Sequence, residues 1–230
     1  MPAAPYRSQK GLSRQQDGAH AIRRALPEET AIAMVYNGTA QAVMMATPAD
    51  IEDFAVGFSL TEGFIKSPDD ILDMEIADHD LGIEARLWLS EDRTESLNVR
   101  RRQMAGAVGC GLCGIESLEQ AVRTLPPVGA VNFTIAEADV IRATDMLRGL
   151  QPLHDRTRAV HAAGFLRPGP DHPQGIVMAR EDVGRHNALD KLIGALARDG
   201  IDASEGAIVL TSRVSVEMVQ KCAMAGTPVL

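Results

Sequence analysis

Residues 176–198 read Ile176-Val177-Met178-Ala179-Arg180-Glu181-Asp182-Val183-Gly184-Arg185-His186-Asn187-Ala188-Leu189-Asp190-Lys191-Leu192-Ile193-Gly194-Ala195-Leu196-Ala197-Arg198. The first four residues are an apolar run of strand length, and the stretch from His186 to Arg198 reads as a helix. A polar link, residues 180–187, joins them. The same alternation recurs around this unit. Residues 207–211 read as a strand, 214–225 as a helix, and 228–230 as the opening of one more strand. Upstream, 128–133 and 159–166 read as strands. Thr134-Ile135-Ala136-Glu137 is a capping box for a helix to about residue 150, and 168–175 is a Pro/Gly loop. Strands separated by helices of about 10–15 residues predict parallel βαβ units with right-handed crossovers, an α/β fold.

In open α/β sheets, ligands bind beyond the carboxyl ends of strands, where helix N-termini supply N–H donors. Two such ends are unusually polar here: Arg180 to Asn187, and Thr211-Ser212-Arg213-Val214-Ser215. Arg185, Arg213 and the two helix starts suit a phosphorylated ligand. A plainer reading stays open, in which Asp182 and Ser212 cap helices and the arginines pair with nearby acids. His161 stands alone in an apolar strand, where a hydrogen-bonded core role is the commoner one. Cys222, in a Met- and Val-rich helix, reads as a buried small hydrophobe.

The N-terminal half has a different character. Residues 1–26 show no periodicity and read as a disordered leader. Residues 31–47 form a hairpin around Asn37-Gly38, a pair that tolerates the positive φ of a type I′ turn. Thr47-Pro48-Ala49-Asp50 signals a helix to about Glu62 that buries Ile51, Phe54, Ala55, Phe58 and Leu60. Ser67-Pro68-Asp69-Asp70 signals a shorter one, and 83–89 and 95–100 read as strands. Met44 and Met45 read as core filling.

Gly109-Cys110-Gly111-Leu112-Cys113-Gly114 carries the reactive chemistry. The glycines permit turns closed to other residues, so the thiols can sit on an exposed loop. Residues 115–124 read as an amphipathic helix with Ile115, Leu118 and Val122 on one face, which sets Cys113 near a helix N-terminus that favours a thiolate. Arg100, Arg101 and Arg102 can push the same way, although such a run is more commonly a solvated strand end. Such a pair can do redox chemistry, hold half a metal site, or carry sulfur. A zinc site would need ligands from His154, His161, His186 or Cys222, with no second Cys-x-x-Cys and no His-x-Glu to help.

The bulk numbers narrow the classes further. A net charge of −8 argues against non-specific nucleic-acid binding. No apolar run is long enough to span a membrane, and no hydrophobic segment follows the N-terminal arginines as in a secretory signal. Three cysteines with one close pair fit a reducing, cytoplasmic setting. Aromatic residues make up only 3 %, which predicts a core of Ala, Val, Leu, Ile and Met.

Together these motifs resemble the FdhD family, the accessory sulfurtransferases of formate dehydrogenase. The resemblance runs from about residue 30 onward. It rests on the Cys110–Cys113 loop, on His161-Ala162-Ala163, on the string from Glu181 to Leu192, and on Ser212-Arg213-Val214-Ser215-Val216-Glu217-Met218-Val219-Gln220-Lys221. It implies a cytidine-deaminase-like α/β domain over 115–230, without zinc, preceded by a smaller α+β part over 27–108 and the Cys-x-x-Cys loop 109–114. It also implies a sulfurtransferase maturation factor. In that role a cysteine desulfurase charges Cys110 with a persulfide, Cys113 acts as its partner, and the sulfur goes to the molybdenum bis(molybdopterin guanine dinucleotide) cofactor of formate dehydrogenase. His161, Glu181, Asp182, Gly184, Arg185, His186, Asn187, Ser212 and Arg213 would form the cofactor pocket, which GDP-like nucleotides can mimic. A homodimer is implied too. A cofactor-binding chaperone that moves no sulfur is the alternative.

Two departures accompany the resemblance. Upstream of His161 stands Arg156-Thr157-Arg158-Ala159-Val160, where the family usually carries Thr-Gly-Gly, and the sequence stops at Leu230 where the family's chain continues, so the 115–230 domain is expected to lack its C-terminal end.

Overall fold

A computed structural model describes residues 4–90, Arg93, 125–168 and 175–230. Cys110 and Cys113, the 109–114 loop, the strand expected at 95–100 and the helix expected at 115–124 lie outside the described residues.

The chain opens not with a disordered leader but with a two-stranded antiparallel ribbon, β1 (Tyr6–Gln15) and β2 (Gly18–Pro27). Its side chains are almost all exposed on both faces, which is why its sequence shows no hydrophobic alternation. Tyr6 anchors the base, its hydroxyl accepting from Arg156 at 3.0 Å beneath the guanidinium.

A mixed four-stranded sheet follows, ordered β4-β3-β6-β5. β3 (Thr30–Tyr36) and β4 (Thr39–Ala46) form the expected hairpin, with Asn37 at φ 46° and Gly38 at φ 78° in its turn. β5 (Ile71–His79) and β6 (Gly82–Leu89) pair antiparallel, and β6 runs parallel to β3. Acids break up the apolar pattern of β5, and sequence reading missed it. The Ser67 signal yields a single 3₁₀ turn, Pro68–Asp70, with its capping box complete.

Helix α1 (Ile51–Thr61) covers this sheet. The core is built mainly of Ala, Val, Leu, Ile and Met as expected, and the few aromatic residues are concentrated in this layer, where Tyr36, Phe54, Phe58 and Phe64 pack within one cluster. Tyr36 is fully buried and shares a 2.7 Å hydrogen bond with the Ser59 hydroxyl. Met44 packs at the edge of this core, whereas Met45 is 43 % exposed.

Residues 125–136 contain no strand, and Val128 and Val131 are exposed. Strand propensity counts only where a sheet edge is available to receive it. Helix α2 (Glu137–Arg148) starts from Ala136 without a side-chain cap, so the Thr134 box is not formed. A single-turn helix α3 (Pro152–Thr157) leads into β7 (His161–Leu166). Then come β8 (Ile176–Asp182), α4 (Arg185–Arg198), β9 (Ala207–Leu210) and α5 (Val216–Met224).

The alternating elements do not build a parallel sheet. β7 lies between β8 and β9 and is antiparallel to both. Only β8 and β9 therefore share a direction. One parallel bridge, Ala207 to Val229, begins the expected final strand on the outer side of β9. A second core of Ala163, Phe165, Leu189, Leu192, Ile208, Met218 and Cys222 lies between this sheet and helices α4 and α5.

The two layers meet where α1 crosses α4, backbone against backbone. A Cβ on Gly57 would lie 1.8 Å from the Asp190 carbonyl oxygen, and one on Gly194 would lie 1.8 Å from that of Asp53. Gly→Ala inside a helix ordinarily stabilises by about 1 kcal/mol. Here the sign reverses. Gly57→Ala and Gly194→Ala are each expected to cost at least the ~1–3 kcal/mol typical of overpacking. Gly129→Ala, with nothing within 4 Å of the added carbon, should be neutral. Urea unfolding followed by circular dichroism compares the three.

Candidate functional site

Because β8 and β9 run together and β7 runs against them, one end of the sheet gathers the end of β8, the end of β9 and the start of β7. That end holds Glu181 to Asn187, Thr211 to Ser215, and His161, whose Cα register partner is Asp182. The starts of α4 and α5 open onto it. Their N-cap residues, Gly184 and Ser215, make no side-chain capping bond, which leaves first-turn donors directed at this end.

Three of the predicted site residues are committed inside the protein. Asp182 is fully buried beside Lys191, with Nζ 2.6 Å from Oδ2. Its carboxylate also accepts from the backbone N–H groups of Thr47 at 3.0 Å and Gly184 at 2.7 Å, and from Asn187 Nδ2 at 3.0 Å. Asn187 Nδ2 donates in addition to the Met45 carbonyl. Lys191 Nζ donates to the Thr47 carbonyl at 2.9 Å. Thr47 therefore does not cap α1; its hydroxyl accepts from Val183 N–H at 3.1 Å, and Asp50 takes the cap position in a left-handed conformation. Glu181 accepts from Leu153 and His154 N–H, both at 2.8 Å, and so closes the start of α3. Burial raises its carboxyl above the ordinary range, and those two donors oppose the rise. Gly184 is needed for space rather than for φ, since a Cβ there would lie 2.7 Å from Asn187 Nδ2.

The remaining predicted residues face the site. Arg185 is half-buried, and its Nε and Nη2 atoms are buried with no hydrogen-bond partner among the described residues. An unpaired buried donor on a cation is costly, which marks the position for an anion. His186 lies alongside, Nε2 3.4 Å from the Ser215 hydroxyl, and burial followed by the charges of Arg185 and Lys221 pushes it down to about 4. His161 is lowered by burial and then by Arg185, with Asp182 opposing. Glu217, which sequence reading did not single out beyond its motif, belongs here too. Its own N–H and the Ser215 hydroxyl hold it low, and it faces His186 and Arg185. Arg213 is exposed, and Ser212 donates to the Arg213 carbonyl at 3.1 Å.

The resulting surface carries a half-buried guanidinium with two unpaired donors, two imidazoles kept neutral near pH 7, the Glu217 carboxylate, hydroxyls and two helix N-termini. At Arg185 it can hold a phosphate without displacing an internal partner, whereas at the start of α5 the Glu217 carboxylate already accepts its own N–H and the Ser215 hydroxyl. Among the described residues no cluster of His, Cys, Asp or Glu is arranged to hold a metal ion. Cys222 is buried, and burial pushes its thiol up to about 12, so it is not a reactive sulfur. No described helix is long and apolar enough to cross a membrane.

Comparison with known proteins adds independent findings. A family model described as the FdhD/NarQ family matches residues 27–230. The chain is 51 % identical over 207 residues to the sulfur carrier protein FdhD of Agrobacterium fabrum, covering 90 % of this chain and 75 % of that protein. It is 51 % identical over 219 residues to the protein of the same name from Brucella abortus, covering 95 % and 80 %. In structure it is similar to a candidate formate dehydrogenase accessory protein from Desulfotalea psychrophila, with a TM-score of 0.73 over 98 % of this chain and 82 % of the other, at 22 % identity.

Two expectations follow from the geometry. Lys191→Met leaves the Asp182 charge buried without its cation and should cost about 3–5 kcal/mol in chemical denaturation. His186 binds its proton more weakly folded, at about 4, than unfolded, at 6.5. Between those values the unfolded chain takes up more protons, so the stability His186 contributes is present above about 6.5 and lost as pH falls toward 4. His186→Gln should flatten that part of the stability-versus-pH curve.

Proposed function

The chain belongs to the FdhD/NarQ family, and from that premise we propose that it is a sulfur carrier in the maturation of formate dehydrogenase. The observation that carries the reading is Arg185, a guanidinium with buried donors unpaired at a sheet end where two helix N-termini open. The cargo is the molybdenum bis(molybdopterin guanine dinucleotide) cofactor, a substrate with two pyrophosphates. Arg185, Arg213, Ser212 and the first turns of α4 and α5 hold a phosphate group, and His161 and His186 line the approach as neutral donors or acceptors. Glu181, Asp182 and Asn187 act by positioning: their bonds fix the link between β8 and α4, and with it the direction of Arg185.

The transfer itself belongs to Cys110 and Cys113. A cysteine desulfurase places a persulfide on Cys110. The Cys113 thiolate then attacks the inner sulfur, a Cys110–Cys113 disulfide forms, and the outer sulfur leaves as hydrosulfide for the cofactor. A dithiol reductant returns both cysteines to thiols. The activity is thus that of a cytoplasmic sulfurtransferase whose partners are the desulfurase, the dehydrogenase and a second copy of the chain. For the unit of β7–β9 with α4 and α5 we propose the cytidine-deaminase-like arrangement.

A second reading is a chaperone that binds the cofactor and moves no sulfur. The phosphate-binding end favours it, because that end needs no thiol.

Intact-mass spectrometry after incubation with a cysteine desulfurase and cysteine separates the two. A gain of sulfur that disappears in Cys110→Ala supports transfer; no gain in the folded, reduced chain overturns it. Arg185→Ala should still load sulfur while weakening GDP binding at least tenfold by calorimetry, and unchanged GDP affinity removes Arg185 from the pocket.

A further inference from the structure

The β1–β2 ribbon takes no part in the site above. Residues 6–27 carry five cations, Arg7, Lys10, Arg14, Arg23 and Arg24, against the single acid Asp17. The ribbon is therefore +4 on a chain of −8, and everything outside it carries −12. Arg7 pairs with Glu28 at 3.3 Å, but Lys10, Arg14, Arg23 and Arg24 have no carboxylate partner among the described residues. Lys10 and Arg23 stand directly opposite each other in the register, and like charges so placed are destabilising. A two-stranded ribbon is marginal in water even without that repulsion. It also exposes Leu12, at 75 %, and Ile22.

Its complement lies elsewhere in the same chain. β5 closes one end of the four-stranded sheet, so one of its edges has no neighbour among the described strands. Residues 69–80 hold six acids, Asp69, Asp70, Asp73, Glu75, Asp78 and Asp80. Asp70 and Glu75 are occupied by Arg93 and Arg86, whereas Asp73, Asp78 and Asp80 meet no cation among the described residues. Leu72, on the same strand, is 70 % exposed. β1 and β5 are ten and nine residues long, so their edges match over nearly their whole length.

We propose that the cationic ribbon of one copy docks along the acidic edge strand β5 of a second copy, and that the exchange is reciprocal. Backbone pairing at the open edges would give affinity, and the charges would set the partner and exclude like edges. A reciprocal contact closes as a two-fold dimer rather than propagating as a fibre. The inference rests on the dimer proposed above, names its surfaces, and does not depend on the sulfur chemistry.

Sedimentation velocity on the full chain tests it, with two charge-reversed variants at exposed positions: Arg23→Glu/Arg24→Glu in the ribbon and Asp73→Lys/Asp78→Lys at the edge. The wild type should be a dimer that weakens toward about 0.5 M salt, where screening is short-ranged. Each variant alone should raise the dimer dissociation constant at least tenfold. Mixing the two should restore a heterodimer, because the acidic ribbon of one then meets the basic edge of the other and the second contact is native. Circular dichroism confirms that both variants are folded. A wild-type monomer overturns both the dimer and its surfaces. A dimer indifferent to both variants overturns the ribbon contact and leaves the dimer. Weakening by the ribbon variant alone, without rescue on mixing, overturns β5 as the receiving surface.

Discussion

The contact on which the rest depends is the crossing of α1 over α4 at Gly57 and Gly194, where neither helix has a side chain to hold the other off. Two sheets with separate cores are joined by this crossing, and charged groups that only a close approach can satisfy surround it. Lys191 reaches from α4 to Asp182 and the Thr47 carbonyl. Lys221 reaches from α5 to Asp190 and Glu62. Burial alone would lower the Lys221 ammonium, but Asp190 and Glu62 outweigh it and hold the group above its ordinary range. Asp53 receives Arg180 and Arg198 on the remaining side. Each buried ion costs several kcal/mol to desolvate and is sustained only by near-ideal geometry. The crossing therefore fixes one relative placement of the layers.

That placement explains the division of labour at the sheet end. A single link, residues 180–187, contains both the groups that lock it and the groups that face outward. Asp182 and Asn187 turn inward to Thr47 and Met45, segments of the other layer. Arg185, set between Gly184 and Asn187 and next to Gly184, is then left with two donors unpaired among the described residues. The polar string that looked like one motif is a strut with one unpaired arginine set into it. The plainer reading of the arginines as surface ion pairs fails for Arg185, which has no acid among its hydrogen-bond partners. For Asp182 the helix-capping idea was near the truth in kind, since its carboxylate does accept the Gly184 N–H.

How much could be read beforehand follows from the range of each interaction. The Asn37-Gly38 hairpin, α1, α4, β9 and α5 were legible because turn chemistry and apolar spacing act within a few residues. The strand expected at 128–133 was not formed, and β5 was missed, because a strand's existence depends on whether an edge is present to receive it. The ribbon at 6–27 escaped notice for a related reason: neither face is buried, so no alternation records it.

What the sequence determined by itself was membership: the paired thiols at 110 and 113, and the Glu181 to Leu192 string, are local patterns that identify a family without reference to contacts. Strand direction was decided only in three dimensions. Alternating strands and helices suggested a parallel sheet, but β7 inserts between β8 and β9 and reverses the order. The roles within the string were decided there as well. Whether a carboxylate, amide or guanidinium binds a ligand or braces the fold depends on which donors and acceptors stand within 3 Å of it. Asp182, Asn187 and Lys191 each have one such partner from more than a hundred residues away in the chain.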